Sequence, residues 1–205
     1  MRKYKRRLKK KLLKQVLQNQ YNSVSQTQTK ATNLVSCIYT FKSELDKITE
    51  YVLDFPSLET GGSLWGWFDK DGSPVIGFVT GPGDNPRNLR PYAYTPNEEY
   101  DAQIEAKINA LGFCKLGVWH SHHKLGLLGP SKIDCYTMDG FFNNPINLDT
   151  FFICGIASIL ESNRVVFRPY FFEKHTHSHT LPSVKVFVEE SPLRSYFNYE
   201  GVDIC

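Results

Sequence analysis

The 205-residue sequence has few cysteines and lacks the features of an exported or membrane protein. Its five cysteines are odd in number and form no Cys-x-x-Cys pair, which argues for reduced thiols and against a disulfide framework. The longest apolar run, 151–160, is about half of a membrane span. The basic N-terminus has neither the apolar segment nor the cleavage site of a signal peptide. We therefore expect a cytoplasmic protein without a transmembrane segment.

Acidic residues are absent before Glu44, whereas eleven Lys or Arg precede it. From Glu44 onward the chain contains the other thirteen Lys or Arg and all twenty-one Asp and Glu. The net charge of +3 therefore conceals an acidic remainder of the chain. Residues 2–20 repeat apolar side chains four apart, which predicts a basic amphipathic helix with this stripe: Tyr4, Leu8, Leu12 and Val16. A polar stretch that predicts a linker follows. We expect an arm over 1–34 and one domain over 35–205, the arm contacting nucleic acid, a membrane surface, an acidic partner or only solvent.

Beyond residue 34 the apolar pattern alternates between strand and helix periods, which predicts a single α/β domain. Strands are predicted over 36–41, 63–68, 74–80, 115–122, 150–160 and 164–172, and helices over 42–55, 95–112 and 131–142. In the second helix we expect Thr95 to be the N-cap, with Glu98 completing a capping box. The polar segment 173–181 contains three further alternating histidines and is predicted to be a solvated loop.

The stretch "GVWHSHHKLGLLGPSKIDCYTM" (117–138) contains a candidate metal site. Alternation along a strand points His120 and His122 to one face, and turns His123 away. Asp134 opens the next helix and can supply an oxygen donor. Two imidazoles and one carboxylate would leave a coordination position free, as catalytic zinc sites do. Ser131 and Asp134 also match a capping box, in which both side chains only bind helix N-terminal amides, so the pattern permits two interpretations.

These residues resemble the JAMM motif (also called JAB or MPN+) of zinc isopeptidases, in this order: His120, Ser121, His122, Ser131 and Asp134. The family also has a glutamate far upstream. "LETGGSLWG" (58–66) resembles the corresponding segment of its prokaryotic branch, with Glu59 in the catalytic position. The resemblance covers about residues 36–172. Two separated motifs in the family's order make it specific.

The resemblance implies a JAMM/MPN domain, cytidine-deaminase-like in fold, with a curved mixed sheet flanked by helices. It implies that His120, His122 and Asp134 bind one zinc ion per chain. Glu59 would transfer protons between the attacking water and the leaving amine, and Ser131 would stabilise the oxyanion. A water activated by a metal does need a nearby carboxylate that is not itself a ligand. Two glycines after Glu59 would let the backbone pass close to the site.

The implied substrate is the C-terminal tail of a ubiquitin-like protein, cleaved during precursor processing or deconjugation. The implied setting is a bacterial ubiquitin-like conjugation or anti-phage defence system, with ubiquitin-activating or ubiquitin-conjugating-like enzymes as partners. The alternative is a non-catalytic MPN-type scaffold in a protein complex. The absence of a Pro-Cys-x-x-Cys motif argues against a zinc deaminase. The sequence departs from the family pattern at His123, usually a proline, and by one extra residue before Ser131.

Overall fold

A computed structural model of the chain describes residues 35–83, 89–91, 93–122, 127–161, 164–174, 176 and 178–200. The strands are β1 (Cys37–Phe41), β2 (Gly61–Phe68), β3 (Pro74–Val79), β4 (Leu89–Arg90), β5 (Ala93–Tyr94), β6 (Cys114–Ser121), β7 (Phe151–Ile159), β8 (Val165–Glu173), β9 (Ser178–Thr180) and β10 (Ser183–Phe187). The helices are α1 (Lys42–Asp54), α2 (Glu98–Asn109), α3 (Lys132–Asn143) and α4 (Pro192–Glu200). The arm predicted over 1–34 lies outside the described residues. None of the described helices is both long and apolar enough to cross a bilayer.

One curled, mixed sheet of eight strands organises the described residues, in the order β10-β1-β3-β2-β6-β7-β8-β9. β1 runs parallel to β10 and β3, and β6 runs parallel to β7, whereas the other neighbours are antiparallel. β4 and β5 form a separate hairpin. The expected α/β class, with a mixed sheet flanked by helices, is confirmed.

The helices cover both faces of this sheet. On one face, Ile48 and Val52 of α1 pack against fully buried strand residues that include Leu64 and Trp119. Because neighbouring strand residues alternate, Trp65 points to the other face, where α2 and α4 cover it. α3 covers the β7 and β8 side of that second face through a cluster that contains Met138, Phe142, Cys154, Ile156 and Phe172.

A buried ion pair fixes α4 to the domain. Arg194 of α4 donates from Nη2 to Glu44 Oε2 over 2.7 Å and to the Val79 carbonyl over 2.8 Å. Glu44 is fully buried, and its carboxylate also accepts a hydrogen bond from the Val79 amide. Removing one partner of such a pair leaves an uncompensated buried charge, at a cost of about 3–5 kcal/mol. The C-terminal helix, which the sequence pattern did not predict, is therefore an integral part of the fold.

Two local predictions were wrong. The N-cap of α2 is Asn97 and not Thr95, because the Asn97 side chain accepts a hydrogen bond from the Tyr100 amide. Within the segment predicted to be a loop, β9 pairs with the end of β8. Its His179 packs against Phe172, with ring centroids 4.9 Å apart, so tertiary pairing overrides a polar local sequence. The other two histidines of that segment lie outside the described residues.

Candidate metal centre

Strand pairing brings the two predicted motifs together. β2 runs antiparallel to β6, with Gly61 opposite His120. The pairing continues beyond β2, because the Ser121 amide donates to the Thr60 carbonyl over 2.8 Å. The same register places Glu59 opposite His122, and directly opposed side chains lie about 4.5–5.5 Å apart at Cβ. Residues separated by sixty-three positions in the sequence thus become neighbours on one sheet face.

The two histidines point to the same face, as alternation predicts, and the Nε2 atoms of His120 and His122 lie 2.9 Å apart. Ser121 points to the other face, where its hydroxyl accepts a hydrogen bond from the Thr60 amide over 2.9 Å. The first turn of α3 brings Asp134 to the pair. Its Oδ1 lies 3.2 Å from His120 Nε2 and its Oδ2 lies 3.5 Å from His122 Nε2. His123 lies outside the described residues.

This donor set fits a zinc ion. Zinc bonds of about 2.0–2.2 Å in a tetrahedral arrangement hold neighbouring donor atoms about 3.3–3.5 Å apart. The separations of 2.9, 3.2 and 3.5 Å among the candidate donors are close to that spacing. His122 is only 3% exposed, so the site has a low dielectric on one side. The residues His120, His122 and Asp134 are therefore able to hold the metal that the sequence predicts.

Asp134 forms the capping box and also faces both histidines. Its Oδ2 accepts a hydrogen bond from the Ser131 amide over 2.6 Å, and the Ser131 hydroxyl accepts one from the Asp134 amide. This is a complete capping box at the start of α3. Burial acts to raise the pKa of Asp134, but hydrogen bonds from His120, His122 and Ser131 outweigh it and hold that pKa well below its usual range. Asp134 is thus a permanently anionic donor fixed by the helix cap.

Glu59 is buried beside this cluster and is not part of it. The residue is 3% exposed, and its Oε1 has no hydrogen-bond partner among the described residues. Its amide donates to the Arg90 carbonyl over 2.8 Å, which ties it to the β4–β5 hairpin. Burial raises the pKa of Glu59, the two histidines lower it and Asp134 raises it, with a net rise. A buried carboxylate with a free oxygen and a raised pKa is suited to accept and release a proton.

Tyr94 of that hairpin lies at the site, and the sequence analysis missed it. A Cβ on Gly61 would come within 2.6 Å of Tyr94 Cδ1 and 2.4 Å of the Trp119 carbonyl oxygen. The tyrosine ring therefore occupies the place of a side chain directly opposite His120. Burial raises the pKa of Tyr94 well above its usual range, so the phenol stays protonated. No pattern in "RPYAYTP" indicated this contact. The glycine is needed so that the hairpin can approach the strand.

Substituting Gly61 by alanine is expected to destabilise the protein by about 1–3 kcal/mol, because the new methyl group meets a backbone oxygen that cannot move freely. Urea unfolding measures the difference. Gly140→Ala is the matched control, because a Cβ there meets nothing within 4 Å and alanine favours the helix by about 0.5–1 kcal/mol. If Gly61→Ala were as stable as the wild type, the close packing of Tyr94 would be wrong.

An apolar groove with a volume of about 320 Å³ lies between β6 and α3, on the face of the sheet that carries the site. Its floor includes Val118, which precedes His120 by two residues on β6 and points to the same face. Its walls come from Pro96, which precedes α2, from α3 and from the start of β7. It is lined by Pro96, Lys115, Leu116, Val118, Thr137, Met138, Phe141, Asp149, Phe151 and Phe152. The groove is large enough and apolar enough to hold a short extended segment.

The two cysteines nearest the site, Cys135 and Cys154, are poor candidates for thiol chemistry. Burial raises the pKa of Cys154 well above its usual range. The pKa of Cys135, next to Asp134, is also raised by burial and by the neighbouring carboxylates. Protonated thiols are poor nucleophiles at neutral pH. Among the described residues Cys37, Cys114, Cys135 and Cys154 are free.

No protein-family model and no curated protein matches this chain. Solved structures do resemble it. The protein DSY2949 from Desulfitobacterium hafniense is 17% identical, with a TM-score of 0.55 over 74% of this chain and 94% of its own. A protein from Salinibacter ruber is 20% identical, with a TM-score of 0.50 over 75% of this chain and 94% of its own. At these identities the likeness extends to the fold alone.

Proposed function

We propose that the protein is a zinc-dependent peptidase of the JAMM type, which hydrolyses the amide bond after the C-terminal tail of a ubiquitin-like protein. One observation carries the proposal. Two imidazoles and one anionic carboxylate converge beside Glu59, a buried carboxylate whose Oε1 has no partner among the described residues. A buried carboxylate oxygen without a hydrogen-bond partner lowers the stability of the fold. The presence of Glu59 next to three possible metal ligands therefore favours a catalytic role.

The residues divide the chemistry between them. When bound, zinc would lower the pKa of water to roughly 7 and polarise the carbonyl group of the scissile amide. Ionised Glu59 would accept the proton of the attacking water and deliver it to the leaving amine. The Ser131 hydroxyl accepts from the Asp134 amide, which leaves its own O–H free to donate to the developing oxyanion.

The apolar groove supports an extended polypeptide as the substrate. Its apolar lining on β6 and α3 suits a tail that is held mainly by apolar side-chain contacts. Precursor processing and deconjugation both require cleavage after such a tail. A bacterial ubiquitin-like conjugation or anti-phage defence system is the setting that we propose, with ubiquitin-activating or ubiquitin-conjugating-like enzymes as partners.

Ser131 is predicted to contribute separately to stability and to rate. Ser131→Ala removes the cap of α3 and should cost about 1 kcal/mol in the free energy of unfolding. It also removes the oxyanion donor, so kcat should fall about 10²-fold while bound zinc is retained. Ser131→Thr keeps the hydroxyl and serves as the control. An alanine variant with lower stability but unchanged kcat would restrict Ser131 to capping.

The proposal is tested by incubating the purified full-length protein with linear fusions in which a reporter follows the tail of each of several ubiquitin-like proteins. Mass spectrometry of the products locates the cleaved bond. We expect cleavage after the tail of at least one fusion, its loss on zinc chelation, and its recovery when zinc is restored. Failure to cleave any fusion, with one zinc ion bound, would contradict the substrate class. Failure without bound zinc would contradict the enzyme.

A non-catalytic scaffold is the second candidate, and one observation favours it. Metal-binding histidines usually donate a hydrogen bond from their other ring nitrogen to an acceptor. The buried Nδ1 of His122 has no such partner among the described residues. The complete capping box would also explain Ser131 and Asp134 without a metal. The scaffold predicts neither bound zinc nor cleavage.

A further inference from the structure

A row of valines is exposed at the end of the sheet. Val184 and Val186 of β10 are 36% and 45% exposed, and Val188, just beyond the strand, is 82% exposed. We call Val184, Val186 and Val188 the valine edge. Among the described residues β10 pairs with β1 on one side and is the last strand on the other. Burying this row would remove a substantial apolar surface from water.

The valine edge lies on the face opposite the candidate metal centre. Val184 pairs with Ile38, which belongs to the core cluster under α1. The alternate residues of β10 point to the other face, where Phe187 stacks on Tyr39 with centroids 5.6 Å apart. Lys185 lies over the same tyrosine ring. One face of β10 therefore has aromatic partners, whereas the valine row on the other face is left open beside α1.

The N-terminal segment reaches the domain at this edge. The Ser36 carbonyl accepts hydrogen bonds from the amide and the hydroxyl of Ser183, over 3.0 and 2.9 Å. Ser183 is the first residue of β10, so the thirty-four residues that precede Val35 join the fold at the start of the valine edge. A flexible linker over residues 21–34 would have an end-to-end distance of about 19–22 Å, and β10 is about 17 Å long.

The chemistry of the segment matches the surface. Residues 1–34 contain ten Lys or Arg and no acidic residue, and their predicted apolar stripe is narrow. Glu189 and Glu190 follow the valine edge directly and are exposed. A stripe with basic flanks can place its apolar side chains on the valines and its charges near these carboxylates. Tethering raises the effective concentration to about the millimolar range, so a modest contact surface suffices.

We propose that residues 1–20 dock on the valine edge of their own chain, with Leu8 and Leu12 against Val184 and Val186. The arm then completes the α1 face of the domain and leaves the candidate metal centre open. The inference does not depend on the proposed function, because the two surfaces lie on opposite faces of the sheet.

Hydrogen exchange of the full-length chain tests the proposal. Leu8→Asp with Leu12→Asp should speed exchange in residues 183–190 about tenfold, because the docked segment no longer protects them. Lys10→Gln with Lys14→Gln changes the net charge by the same amount on the other side of the predicted helix, and should leave exchange within about twofold. Val186→Asp should in turn speed exchange in residues 4–17. Residues 144–150 are the internal reference and should not change.

Equal exchange of residues 183–190 in the wild type and both double variants would overturn the proposal. Light scattering identifies a different occupant. If the wild type were a dimer and the protection of the valine edge disappeared on dilution, a second copy would cover it. We expect the wild type to be a monomer in which the protection of residues 183–190 does not depend on concentration. This protection should be lost in the aspartate double variant and retained in the glutamine double variant.

Discussion

Glu59→Gln is expected to lower kcat/KM for a cleavable fusion by about 10³-fold while the fold and the bound zinc persist. Glutamine keeps the shape of the side chain but cannot accept the proton of the attacking water. Glu105→Gln, at an exposed position of α2, is the matched control and should have no effect. Initial rates over a range of fusion concentrations, with zinc content measured on the same samples, provide the comparison.

The same substitution is expected to stabilise the metal-free protein at neutral pH. Burial raises the pKa of Glu59, so the folded state binds a proton more tightly there than the unfolded state does. The wild type therefore loses stability as the pH rises from about 4.3, the ordinary value for glutamate, until it passes the raised pKa. Glu59→Gln has no such loss, and its advantage should grow across that window. A variant that retained activity, or whose stability advantage over the wild type was no larger at pH 7 than at pH 4, would contradict the assignment.

Asp134→Asn is expected to weaken zinc binding by at least about 10²-fold, because the anionic donor between the histidines becomes a neutral amide. Asparagine keeps a side-chain oxygen that can accept from the Ser131 amide, so the cap of α3 should largely remain. Ser131→Ala should give the opposite result, with a weaker cap and retained zinc. Together the two variants separate the capping role of this pair from the metal-binding role that we propose for Asp134.

Competition with a zinc-chelating dye measures the affinity of these variants, and thermal unfolding measures the cap. Asp46→Asn is the matched control, because that carboxylate lies on the exposed side of α1 in a pair with Lys42. A solvent-exposed pair contributes little, so its zinc affinity and stability should match the wild type. Unchanged zinc affinity in Asp134→Asn would remove Asp134 from the ligand set.

Local pattern accounts for most of the fold. Period-2 alternation found β1 and β6, and period-3.6 spacing found α1 and α3, within one or two residues. It missed β10, whose exposed valines and Lys185 become a strand only because β1 supplies a parallel partner. It missed the β4–β5 hairpin for a similar reason, since two-residue strands have no periodicity. It also placed the α2 cap two residues early, because Asn97 competes with Thr95 and is the residue whose side chain reaches the Tyr100 amide.

The candidate site was predictable where it depends on strand geometry. Alternation alone selected His120 and His122, and the structure brings their Nε2 atoms together. The choice between a cap and a metal ligand could not be made from spacing, because Asp134 has two oxygens and uses them for different contacts. The position of Tyr94 depends on a contact across Gly61 between distant segments. The glycine indicates a close approach, but it does not identify the residue that approaches.

The zinc content of the purified full-length protein tests the central claim most directly. Elemental analysis should find about one zinc ion per chain in the wild type, and less than about 0.1 in His120→Ala, because two remaining donors do not hold the ion. His179→Ala is the control, because His179 lies on the edge strand β9 and packs on Phe172. This variant should retain zinc. Less than half an equivalent in the wild type, with no further loss in His120→Ala, would contradict the account.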